Sequence, residues 1–169
     1  WPTKTKRGKP MVFTLKHVFL PLPITKSAEA SLEGKIYTIG FPRSGIQGLL
    51  PKYTEGTISS LAGIRDEASR FQVSVTIQPG NSGGALVNEN GQIVGVIVSG
   101  LSTKYFLKND GAPPQVVNYA IKSSFLLGFL EGTDVRYIIG TRQNAQRGKA
   151  SVGRTRHGIG HVITRYLHK

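Results

Sequence analysis

Apolar and polar residues alternate in several short runs, and the clearest is Arg70 to Ile77 (RFQVSVTI). Phe71, Val73, Val75 and Ile77 fall on one face, with Gln72, Ser74 and Thr76 on the other. That period of two predicts a half-buried strand. Pro79-Gly80 stops it. Lys35 to Phe41 (KIYTIGF) is mostly apolar and ends at Pro42, which cannot continue a central strand. Gly56 to Leu61 is a further strand candidate. Ala85–Val87 and Gln92–Ser99 predict the arms of a hairpin. Its turn is Asn88-Glu89-Asn90-Gly91, where Asn-Gly supplies the positive φ that such turns require. Val116 to Ile121 predicts another strand. Ser123 or Ser124 can then N-cap a short helix through Leu130, with Gly132 as its stop.

Upstream, Met11 to Leu15 could be a short strand, and Phe19 to Pro23 is broken by proline. Lys26 to Gly34 reads as a surface loop. About six short strands followed by one terminal helix predict an all-β fold, a single antiparallel barrel. Beyond Gly132 the pattern decays, leaving Tyr137-Ile138-Ile139 as an isolated apolar patch. No internal repeat is visible.

Charge sharpens the division of the chain. The net charge is +13 over 169 residues. Residues 1–16 hold five Lys/Arg and no acid, and 133–169 hold eight and one acid. The middle, 17–132, holds nine basic and eight acidic residues, so it is close to neutral. Three segments follow: a basic lead-in at 1–16 with a remnant strand, a barrel at 17–132, and a basic, disordered tail at 133–169. The tail could bind nucleic acid or another anionic surface. It has few aromatics for base stacking, Tyr137 and Tyr166, which disfavours that reading. A solvated extension, or an end foreign to the folded domain, accounts for it better.

Several chemistries drop out. There are no cysteines, hence no disulfide, thiolate metal site or cysteine nucleophile. No apolar run approaches the roughly 18–20 residues of a membrane-spanning helix. No leader peptide is visible, which leaves the compartment open. His157 and His161 have the i, i+4 spacing of a helical metal pair, but Gly158 and Gly160 break the helix and no carboxylate lies nearby. No metal or cofactor is expected.

The chemistry centres on Gly80-Asn81-Ser82-Gly83-Gly84, between the alternating strand and the hairpin. A hydroxyl nucleophile needs a tight, exposed turn and backbone N–H groups that converge on a developing oxyanion. Flanking glycines permit the dihedrals and remove obstruction. On its own the pentapeptide fits a plain glycine-rich β-turn equally well.

Its surroundings resemble the C-terminal barrel of trypsin-like serine peptidases, nearest the bacterial HtrA/Deg-type branch. The matching stretches are GKIYTIGFP (34–42), TEGTISSL (54–61), TIQPGNSGGALVNENGQIVGVIVS (76–99) and VNYAIKSS (117–124), in the family's order. The resemblance implies serine endopeptidase chemistry on a peptide or protein substrate. It implies that Ser82 is the nucleophile, and that the N–H groups of Gly80 and Ser82 form the oxyanion hole. It places Thr76 at the floor of the primary specificity pocket. A neutral floor pairs with no substrate Lys or Arg, which points to a small or apolar preference. The segment Ile97-Val98-Ser99-Gly100-Leu101 resembles the strand that hydrogen-bonds an extended substrate. Ordinary strand packing is the alternative for Thr76 and for that segment.

A serine needs a histidine to take its proton and an acid to orient that histidine. In this family both come from an N-terminal barrel, and 81 residues precede Ser82, too few for one. Met11 to Leu15 resembles the strand that the family's Asp opens, yet Pro10 stands near that place and the first Asp is Asp66. His17 reads as a strand-end histidine, and His157, His161 and His168 lie in the tail. The expectation is therefore an incomplete triad: a truncated peptidase with its N-terminal barrel missing. The alternatives are a non-catalytic peptide-binding module and, behind it, a basic nucleic-acid-binding protein.

Overall fold

The computed structural model describes residues 21–42, 48, 50–98, 117–141 and 152. Six strands close into one antiparallel barrel: β1 (Lys35–Gly40), β2 (Lys52–Ser60), β3 (Arg70–Val73), β4 (Ala85–Asn88), β5 (Ile93–Val98) and β6 (Asn118–Lys122). Around the barrel the order is β1-β2-β3-β6-β5-β4, with β4 closing on β1. Among the described residues each of the six strands has a partner on both sides. A helix, α1 (Ser123–Glu131), follows β6 directly. The all-β barrel with a short terminal helix is the architecture that the alternation predicts.

The interior follows from that alternation. Ile36, Ile58, Phe71, Val73, Val75, Leu86, Val94, Ile97 and Ala120 pack as one buried cluster. Each large aliphatic or aromatic side chain so buried contributes roughly 1.5–3 kcal/mol. β3 ends its ladder at Val73, short of the expected Ile77, but the burial pattern continues: Val75 is buried and Thr76 exposed. The hairpin turn is built as expected. Gly91 has φ 74°, and Asn88 Oδ1 accepts the N–H groups of Asn90 and Gln92, each at 3.0 Å. Leu86 pairs with Gly95 and Val87 with Ile93, so the register shift there places a bulge at Val94 in β5.

β1 is buried on both faces because it serves two clusters. Ile36 points into the barrel core. Tyr37 and Ile39 form a second cluster with Val87, against which Leu22, Phe41, Ala85 and Val152 pack.

Three features depart from the expectations. First, neither Ser123 nor Ser124 is the N-cap. Ser123 is the first helical residue, and its Oγ donates to the Thr25 carbonyl at 2.7 Å. The cap comes from another element: the Ser124 N–H donates to Ser27 Oγ at 2.9 Å. Ser27 opens a short 3-10 turn, Ser27–Glu29, within the stretch expected to be loop. Second, β2 begins at Lys52, ahead of the expected Gly56. Third, the chain does not leave the barrel at Gly132. The Ile24 N–H donates to the Ile138 carbonyl and the Gly140 N–H to the Ile24 carbonyl, both at 2.7 Å. Gln92 Nε2 donates to the Thr141 carbonyl at 2.9 Å. The apolar patch at 137–139 thus pairs alongside Ile24, which itself bridges β5 at Ile93. The expected strand Met11–Leu15, His17, most of the basic tail and its three histidines lie outside the described residues.

Candidate active site

The barrel hands the chain from β3 through Val75 and Thr76 into the turn at 80–84, and β4 carries it away. Gly80 has φ 104° and Gly83 φ 83°, a region that residues with a Cβ rarely adopt. These two glycines let the chain reverse around Ser82. The Ser82 residue is exposed, and Asn81 beside it is 5% exposed.

The backbone donors of the turn divide sharply. The Asn81 N–H donates to the Gln78 carbonyl at 3.0 Å, Gly83 N–H to Ile97 at 2.8 Å, and Gly84 N–H to Asn81 at 3.0 Å. The N–H groups of Gly80 and Ser82 make no hydrogen bond among the described residues. Two free donors therefore flank one committed donor, on the residue that carries the hydroxyl and the glycine two before it. Uncommitted donors beside a nucleophile are what stabilisation of an oxyanion requires.

Two neighbouring strands fix this turn. From β5, the Ile97 N–H donates to the Gly84 carbonyl at 2.9 Å, and its own carbonyl receives Gly83. From β1, Thr38 Oγ1 donates to the Ala85 carbonyl at 3.0 Å. Two residues on, Gly40 lies on the same face of β1. A Cβ there would stand 2.6 Å from Asn81 Oδ1, closer than two such atoms can approach. Thr38 and Gly40 were not singled out in the sequence. The available signal was Thr-x-Gly within an otherwise apolar strand, two positions on one face that carry no apolar side chain.

Thr76 is exposed, on the face opposite the core residue Val75. The carbonyl of Val75 is held by Asn118 Nδ2 at 2.7 Å. Ile97 is fully buried, and both its backbone groups serve the turn. Val98, the next residue of β5, is half-buried. Ser99 and Gly100 lie outside the described residues. No histidine is among the described residues, nor any group of three His, Cys, Asp or Glu that could hold a metal.

Residues 13–96 match the trypsin-like peptidase domain. The chain is similar to that family over those 84 of its 169 residues. It is also 32% identical over 113 residues to an uncharacterized protein of Sinorhizobium fredii, y4bJ. That alignment takes in 67% of this chain and 18% of the relative, so the chain spans less than a fifth of the relative's length. Among solved structures, it is similar to the HtrA-type protease AlgW with a tripeptide, at 23% identity and a TM-score of 0.49. The overlap covers 65% of this chain and 34% of that one.

Proposed function

We propose that this barrel is the nucleophile-bearing half of a serine endopeptidase of the HtrA-like branch, acting through Ser82. The observation that carries the reading is the pair of uncommitted N–H groups, on Gly80 and Ser82, around an exposed serine. In the reaction, Ser82 Oγ attacks the scissile carbonyl carbon and gives its proton to a base. The carbonyl oxygen gains the negative charge and is held by the two N–H groups. Collapse of the intermediate breaks the C–N bond, and the amine leaves with the proton. Water then hydrolyses the acyl-serine by the same steps.

The base and its orienting acid come from outside the described residues. Thr76 floors the primary pocket. Val98, Ser99 and Gly100 pair with an extended peptide. A neutral floor supports a small or apolar residue before the scissile bond.

A peptidyl boronic acid with a small apolar first residue tests this reading, because boron accepts the serine oxygen and the oxyanion-hole donors together. The chain should bind it, and Ser82→Ala should abolish the adduct while leaving weak affinity for the parent peptide. Equal binding of the boronate by both forms would favour a non-catalytic peptide-binding module. No binding of boronate or peptide would overturn both.

A further inference from the structure

The turn that carries Ser82 has a strand on each side. β4 leaves the turn, and around the barrel it lies between β5 and β1. From the β5 side, Ile97 holds Gly83 and Gly84. From the β1 side, Thr38 holds Ala85, and the Asn81 side chain lies over Gly40. In the proposed reaction, the residues before the scissile bond run along the continuation of β5. An extended peptide that passes Ser82 therefore leaves β5 behind and runs toward β1 and its neighbour β2.

β2 begins there, with Lys52. Lys52 pairs with Gly40 and Thr54 with Thr38, so these four residues share the face of Ile36, which lines the barrel. Toward the start of β2, that face meets the chain leading into the turn. A Cβ on Gly56 would touch Ser74 Oγ and the Val75 nitrogen. Thr54 Oγ1 lies 3.5 Å from the Thr76 carbonyl. The same progression brings Lys52 level with Gln78, whose carbonyl accepts the Asn81 N–H. Lys52 thus stands at the barrel mouth beside the turn, on the side away from β5.

Its charge is not neutralised there. Lys52 is half-buried, and no carboxylate pairs with it among the described residues. Glu55, the nearest acid in the chain, is on the opposite face of β2 and accepts the Tyr53 O–H at 2.7 Å. The sequence from Phe41 to Thr54 contains no acid. A lysine can bury its stem and keep its ammonium in water without any ligand. This one places that ammonium where the leaving half of the peptide must pass, with no protein acid competing for it. Such a charge favours an opposite charge on the partner and rejects a like one.

We infer that Lys52 selects an acidic residue on the leaving-group side of the scissile bond. This inference rests on the reading of Ser82 as nucleophile and deepens it. Thr76 selects the residue before the bond, and Lys52 selects among the two residues after it.

The test uses the full-length natural protein and three peptides. All share a small apolar residue before the scissile bond, and they carry Glu, Gln or Lys in the two positions after it. kcat/KM should be about tenfold higher for Glu than for Lys, with Gln between them. Lys52→Met keeps the stem and removes the charge, and it should level the three. Lys52→Glu should reverse their order. The peptidyl boronic acid carries nothing beyond the bond, so both variants should bind it as the wild type does. An order of the three peptides that is the same in all forms would overturn the inference. So would a loss of boronate affinity in Lys52→Met, because Lys52 would then act on the turn itself. If the wild-type protein neither cleaves the peptides nor binds the boronate, the peptidase reading fails separately. The affinities of the three uncleaved peptides then decide: a preference for Glu that Lys52→Met removes upholds Lys52 as the selecting contact, and equal affinities overturn it.

Discussion

Asn118 Nδ2 donates to the carbonyl of Val75 at 2.7 Å, inside the barrel and one residue before Thr76. Asn118 opens β6 opposite Val73, so this bond continues the β3–β6 pairing where the ladder itself has stopped. It fixes the stretch that leads into the Ser82 turn.

Asn118→Ala leaves the Val75 carbonyl buried without this donor. The expected cost is about 1–3 kcal/mol of stability. Thermal or denaturant unfolding of the variant checks it, and an unchanged midpoint would mean that Val75 finds another donor.

Leu86→Ala should be more damaging. Leu86 is wholly buried in the barrel cluster, on the strand that leaves the nucleophile turn. Removing its side chain costs about 2–5 kcal/mol through lost transfer energy and the cavity left behind. Denaturant unfolding should show a lower midpoint at a similar slope. A loss below 1 kcal/mol would contradict the tight core described above.

A chain ending at Gly132 should be less stable than the full chain. It loses the Ile138 and Gly140 bonds to Ile24 and the Gln92 bond to Thr141. Amide hydrogen exchange at Ile24 reads this directly: protection present in the full chain should fall on truncation. Equal protection would show that 138–141 adds nothing to the barrel.

Tyr53 gives a prediction at high pH. Burial is the main cause that pushes its phenol up to about 12, with the Glu55 hydrogen bond and charge and the nearby Tyr37 adding to it. Its O–H donates to Glu55 Oε2 at 2.7 Å. The folded state holds this proton more tightly than the unfolded chain, whose tyrosines titrate near about 10. The associated stability is therefore intact below pH 10 and is lost as pH rises toward 12. Tyr53 is 45% exposed, so solvent screening keeps the effect small. In an ultraviolet titration, Glu55→Gln should shift one tyrosine to lower pH. No shift would break the link between the two residues.

How much of this was legible in the sequence depended on the range of the cause. Phe71, Val73 and Val75 could be assigned to the core because alternation is local. The Asn90-Gly91 turn was legible for the same reason. The helix starts one or two residues before the expected place and its cap differs, because the capping oxygen comes from Ser27, far away in the chain. The pairing of 138–140 with Ile24 was hidden because three apolar residues carry no sign of their partner. At the candidate site, Ser82 and its glycines stood out as a motif. Gly40 did not, since its requirement arises only when the turn folds onto β1. For Ile97 the sequence left substrate pairing and ordinary strand packing both open, and its bonds to Gly83 and Gly84 depend on the folded turn.

The central claim is that Ser82 is a peptidase nucleophile, and covalent labelling tests it most directly. The full-length natural protein should be treated with a fluorophosphonate and mapped by peptide mass. The account predicts one phosphonylated residue, Ser82, and no labelling in Ser82→Ala. Labelling at another serine, or labelling that survives Ser82→Ala, would contradict it.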